Sequence, residues 1–178
     1  MLIALTGTPG TGKSSVAELL RRRGYGVASV VELAKKYDCV VDEVEGELVI
    51  DVEKLAAKMD FDGVVEGHLS HLLKPDLAIV LRCNPAVLKE RLSERKWSEE
   101  KLMENVEAEL LDAILVEALE HAGEVYEIDT TEMSVDEVAD AVDSIIRGDE
   151  EVRKRYKPGR IDWLSELEDR LDEFVRKV

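Results

Sequence analysis

Residues Gly7-Thr8-Pro9-Gly10-Thr11-Gly12-Lys13-Ser14 constrain this chain more than any other stretch. They fit G-x-x-x-x-G-K-[ST], the pattern of a loop that cradles phosphates. Glycines let the backbone turn tightly enough for successive N–H groups to converge on an anion. A helix that follows adds the positive end of its dipole. Lys13 would reach the β- and γ-phosphates of a nucleotide, Ser14 would offer a hydroxyl to magnesium, and Ser15 would support the α-phosphate. The flanks agree. Leu2 to Leu5 is a short apolar run of β character. Lys13 to Arg23 reads as a helix, with Val16, Leu19, Leu20 and Arg23 on one face and Gly24 as its cap. A glycine-rich turn without a ligand is the alternative, and the strand–loop–helix context argues against it.

The rest of the chain alternates in the same way. Strands are predicted at Val27–Val31, Gly63–Gly67, Leu77–Leu81 and Glu124–Ile128. Leu77–Leu81 is nearly all apolar, as a strand buried on both faces should be. Helices are predicted at Leu33–Tyr37, from Asp51 through Val52, Leu55, Ala56 and Met59, from Asn84-Pro85 to about Arg95, and from Ser98 to about His121. Ser134 and Glu137 form a capping box for a further helix that buries Val138, Ala141, Val142, Ile145 and Ile146. Cys39–Ile50 is acidic and irregular, with a hairpin around Gly46. Gly148–Gly159 reads as a charged connector. Asp162 caps a last helix with the stripe Trp163, Leu167, Leu171, Phe174 and Val178. Five strands alternating with helices predict an α/β fold, a five-stranded parallel sheet with helices on both faces. Ligands then belong at the carboxyl ends of the strands.

Charge narrows the partners. The chain has 178 residues, 36% of them charged, and a net charge of −16. Such a surface repels phosphate backbones, so little direct nucleic-acid binding is expected. It suits a basic protein partner, or else simply solubility or the ion-pair networks of a heat-adapted protein. Cys39 and Cys83 match no zinc spacing and read as reduced, buried thiols of a cytoplasmic protein. No signal peptide is read ahead of the first strand, and no apolar run approaches transmembrane length.

Three further sets of residues are candidates for chemistry. Glu66 ends an apolar strand, where an acid can hold the water shell of magnesium. Asp76 precedes its strand and so lies at the wrong edge. His68, two residues after Glu66, could orient water or polarise a phosphate oxygen; a surface or packing histidine is an equal reading. His71 and His121 have weaker cases. Arg82 follows a strand directly, and Arg91 and Arg95 share a helix face. Arginines on a closing lid stabilise the charge of phosphoryl transfer. The alternative is a solvated charged face.

These residues, with Tyr37-Asp38-Cys39, Val65-Glu66-Gly67-His68, Val80-Leu81-Arg82, Asn84 and Glu90-Arg91-Leu92-x-x-Arg95 in order, resemble the atypical adenylate kinases of archaea and eukaryotes, the isoenzyme-six type. The resemblance covers roughly residues 1–147. It implies a P-loop nucleoside monophosphate kinase fold, with a monophosphate-binding part near 29–50, a lid near 94–104, and residues 148–178 as connector and C-terminal amphipathic helix. It implies ATP:AMP phosphotransfer with Mg2+, ATPase activity, and a role in maturing the small ribosomal subunit beside a basic platform protein. Gly10, Gly12, Lys13, Ser14, Ser15 and Arg95 would bind ATP, and Ser14 and Glu66 would manage the metal. Lys13, Glu66, His68, Arg91 and Arg95 would be catalytic. Two positions depart from the family. Glu66 stands where Asp can occur, and lysine fills positions 35 and 36, where an arginine would clamp the monophosphate.

Overall fold

The computed structural model describes residues 1–177. Its strands are β1 (Leu2–Gly7), β2 (Val27–Ser29), β3 (Val40–Val44), β4 (Glu47–Ile50), β5 (Gly63–Glu66), β6 (Leu77–Arg82) and β7 (Glu124–Asp129). Five of them form one parallel sheet in the order β2-β5-β1-β6-β7. β3 and β4 form a separate antiparallel hairpin. The expected α/β architecture with a five-stranded parallel sheet is therefore the observed one.

Strand alternation decides which helix covers which face. Ile3 and Leu5 of β1, with Ile79, Leu81 and Ile128, pack under α1 (Lys13–Arg22) and α7 (Val135–Ile146). Ala4, Ala78 and Val80 point the other way, against Leu115 and Ala118 of α6 (Ala113–His121). Small residues on that side let α6 lie close. On the same side, α2 (Val30–Lys36) and α3 (Val52–Lys58) bury Leu33, Ala34 and Leu55 against Val65. All six residues of β6 are buried, as its apolar run predicted. Each buried Leu or Ile contributes about 1.5–3 kcal/mol.

Four boundaries differ from expectation, each for a local reason. β2 stops at Ser29, because Ser29 caps α2: its Oγ accepts from Glu32 N at 3.0 Å, while Glu32 Oε2 accepts from Ser29 N at 2.9 Å. Val30 and Val31 are thus helical despite their β-branched side chains. The helix predicted from Ser98 to His121 is two, α5 (Glu99–Leu110) and α6, with Asp112 between them at φ 58°. The break lets the Asp112 carboxylate pair with the buried Arg82. Inside the expected connector, α8 (Glu150–Arg155) forms where Asp149 accepts from the N–H groups of Glu151 and Val152. The last helix is one turn, α9 (Trp163–Glu166), followed by a 3-10 stretch, Glu168–Glu173. Its stripe still buries Trp163, Leu167 and Phe174 against α5 and α4 (Pro85–Ser93). Val178 lies outside the described residues.

Candidate active site

β1 runs straight into the glycine-rich loop, and α1 starts at Lys13. Gly12 sits at φ 97°, a conformation that a side chain would strain, and it launches the helix. Lys13 folds back: its Nζ donates to the carbonyls of Gly7 at 2.8 Å and Thr8 at 3.0 Å. The loop is braced from outside as well. Thr130 Oγ1 donates to Thr11 O at 3.2 Å, and Arg91 donates to Gly10 O at 3.2 Å and Thr131 O at 3.4 Å. Burial pulls the Lys13 pKa down to about 8; Arg95 pushes the same way, and Glu66 and Glu109 oppose it.

Glu66 pairs in register with Leu5, so β5 ends beside the loop at the carboxyl edge of the sheet. Burial raises the Glu66 pKa, with Lys13 opposing. Gly67 turns the chain at φ 146°, where a Cβ would come within 2.9 Å of Val30. His68 follows, solvent-exposed at the cleft mouth. Partial desolvation within the cleft, and then Lys13, lower its pKa from the usual 6.5, and Glu47 pulls the other way. The turn is pinned by Ser70 Oγ on Gly67 O (2.8 Å). His71 is fully buried; its Nδ1 lies 2.7 Å from Thr6 Oγ1 and its Nε2 lies 2.8 Å from Glu117 Oε2. This makes His71 a brace behind the loop. His121 lines a separate groove, and Asp76 holds Leu2 N at the opposite end of β1.

One cleft of about 1140 Å³ collects the sequence-derived candidates: Gly10, Gly12, Lys13, Ser14, Ser15, Glu66, His68, Arg91 and Arg95 all line it. Its far wall is Ser29, Val31 and Lys35 of the α2 region and the β3–β4 hairpin. Lys35 faces the cleft, whereas Lys36 lies over the Tyr37 ring at 5.3 Å. Arg95 stacks on Trp97 at 5.0 Å, Lys101 sits over the same ring at 4.3 Å, and Lys101 pairs with Glu47 of the hairpin at 2.8 Å. The stretch after α4 and the hairpin thus meet across the mouth.

Arg82 does not reach the cleft. It is 1% exposed and bonded to Glu109 and Glu127, each at 2.8 Å, and to Asp112. Burial alone would lower its pKa, but Glu109 and Asp112 outweigh that and raise it. Sequence reading missed Glu109, Thr8 and Trp163 as partners in this cluster. Glu109 sits in the acid-rich run Glu99–Leu110, where nothing marks one carboxylate as buried.

Among the described residues no group of three His, Cys, Asp or Glu could hold a metal by itself. The oxygen donors Ser14 and Glu66 in one phosphate cleft still suit magnesium, which keeps several waters and leans on substrate phosphates. Cys39 and Cys83 are buried and free, and burial pushes the Cys83 thiol up to about 11. No described helix is long and apolar enough to cross a membrane.

The model of a family described as an AAA domain matches residues 3–112. An Archaeoglobus fulgidus protein named "Putative adenylate kinase" is 78% identical over 178 residues, covering 100% of both chains. A Thermococcus kodakarensis protein of the same name is 46% identical, covering 99% of each. In fold, the chain is similar to the shikimate kinase of Acinetobacter baumannii, with TM-score 0.57 and 17% identity over 84% of this chain and 94% of that one. With a phosphate loop, a neighbouring strand-end acid and arginines around one cleft, the chain belongs to the archaeal adenylate kinase family, on the P-loop nucleoside monophosphate kinase fold.

Proposed function

We propose that the protein transfers the γ-phosphoryl group of ATP to AMP, with Mg2+ as cofactor. The observation that carries this reading is the single cleft of about 1140 Å³ joining the phosphate loop to a second, basic-tipped wall at Lys35. Pockets for one small ligand run to roughly 300–1,000 Å³, so this one has room for donor and acceptor. Lys13 leaves its two carbonyls to neutralise the β- and γ-phosphates. Ser14 and Glu66 would hold the metal, which when bound offsets charge on the phosphate oxygens. Arg91 holds the loop's shape through Gly10, and Arg95 meets the equatorial oxygens as charge develops there. Lys35 takes the acceptor phosphate as a point charge, without the planar fork of an arginine. The test is ADP formation with and without AMP: strong dependence on AMP supports the kinase, and indifference overturns it.

A second activity, ATP hydrolysis, is favoured by one observation: His68 is exposed in the cleft with its pKa lowered, which favours the neutral ring that can orient water. Hydrolysis would serve a role in small ribosomal subunit maturation in the cytoplasm, with a basic ribosomal protein as partner of the acidic surface. His68→Ala should then harm hydrolysis more than AMP phosphorylation, since AMP brings its oxygen already positioned. Equal losses would assign His68 to general positioning.

A further inference from the structure

Glu109 does not line the cleft, yet it is bonded directly to a residue of the glycine-rich loop. It is 3% exposed, and its two oxygens serve different segments. Oε1 accepts from Arg82 Nε at 2.8 Å, Cys83 N at 3.2 Å and Trp163 Nε1 at 3.1 Å. Oε2 accepts from Thr8 Oγ1 at 2.8 Å. The carboxylate thereby joins the end of β6, α5, the C-terminal segment and the phosphate loop.

Thr8 is the second residue of the loop and is 1% exposed. Its carbonyl receives Lys13 Nζ at 3.0 Å and Thr11 Oγ1 at 2.8 Å. Wherever Thr8 is held, the resting place of Lys13 is held with it. A role for Glu109 as mere counter-ion to Arg82 does not account for this, because Arg82 also has Glu127 and Asp112. Trp163 supplies the last donor, and its ring lies 6.0 Å from the Arg82 guanidinium. The C-terminal segment is thereby linked to the loop by hydrogen bonds through the Glu109 carboxylate.

We propose that Glu109 is a positioning residue for the phosphate loop: it holds Thr8, and so Lys13, and its hold depends on the C-terminal segment docking through Trp163. This rests on the nucleotide-binding reading of the loop but not on the identity of the acceptor. Thr8→Val removes the hydroxyl at nearly constant volume and leaves Oε2 without its donor. Thr8→Ser keeps the hydroxyl. Trp163→Phe keeps an aromatic ring and removes the N–H.

The experiment is equilibrium titration of each full-length variant with ATP, alongside KM and kcat for ATP and AMP and thermal unfolding. Thr8→Val should weaken ATP binding about tenfold, the scale of one buried hydrogen bond lost. Thr8→Ser should stay within about twofold of the parent, and Trp163→Phe should weaken ATP about threefold, while KM for AMP moves less than twofold in all three. If Thr8→Val binds ATP like the parent, or Thr8→Ser is no better than Thr8→Val, the proposal is overturned. Should Thr8→Val fail to fold, Trp163→Phe decides: unchanged ATP binding in the folded variant sinks it, weakened binding supports it. A parent that turns over without AMP would remove the acceptor reading and leave the ATP titration to decide as before.

Discussion

Lys13 carries a charge in surroundings that oppose it, which is why its replacement is informative. The ammonium is buried and its pKa is near 8, so the loop gives up free energy to keep a cation ready for phosphate. Lys13→Ala should lower turnover at least about a hundredfold, as loss of a buried electrostatic group in a transition state does. Circular dichroism should stay native; near-parent turnover would refute the assignment. Arg95→Ala should cost roughly a thousandfold in kcat with ATP affinity changed much less. If titration shows the reverse, Arg95 is a ground-state clamp. His71 gives a pH prediction. Burial holds its pKa below the usual 6.5, His121 and Lys13 push the same way, and Glu117 opposes. The unfolded chain thus binds a proton that the folded one resists, so stability present above 6.5 is lost as pH falls below it. Urea midpoints at pH 7.5 and 5.5 should drop more in the parent than in His71→Gln; equal drops would refute the buried neutral histidine. Lys13 and Glu66 were legible from the loop motif and a strand end; for His68, Arg91 and Arg95 spacing left a packing or solvated role open, and the family resemblance set them beside the loop, where all five line one cleft. Arg82 was not legible, because its strand-end position reads the same whether the side chain turns to the cleft or into the core.

The elements over the cleft touch where sequence gives no warning. Lys101, at the start of α5, pairs with Glu47 at 2.8 Å and covers Trp97. Glu47 is half exposed, so the pair contributes at most about 1 kcal/mol. Lys101→Met should therefore raise KM for AMP by up to about fivefold, and KM for ATP by less. A larger rise in the ATP value would show that the contact serves the donor side instead. The hairpin around Gly46 was legible from its turn residues, and α7 from Ser134, whose Oγ accepts from Glu137 N at 3.1 Å. The Ser29–Glu32 box was equally legible, but the β-branched pair Val30-Val31 masked it. The break at Asp112 was not. The run Glu99 to His121 holds no Gly or Pro to mark a break, and Asp112, at φ 58°, is paired with an arginine thirty residues away in sequence.

For the molecule as a whole, the −16 net charge makes long-range electrostatics the first thing a partner meets. A lysine-rich peptide should bind with an affinity that falls as salt rises, while single-stranded RNA should show no binding at about 0.15 M salt. RNA binding at that ionic strength would overturn the reading of the surface.

The place of β1 in the sheet bears on how the protein is made. Leu2–Gly7 is the central strand, yet it is synthesised before both of its neighbours, Gly63–Glu66 and Leu77–Arg82. At a synthesis rate of roughly 5–20 residues per second, both edges of this apolar strand stay open for several seconds. The nascent chain therefore carries a sticky, unpaired template through much of its own translation. Ribosome-bound fragments ending before β5 should be prone to self-association, and cooperative folding waits for β6 to close the second edge.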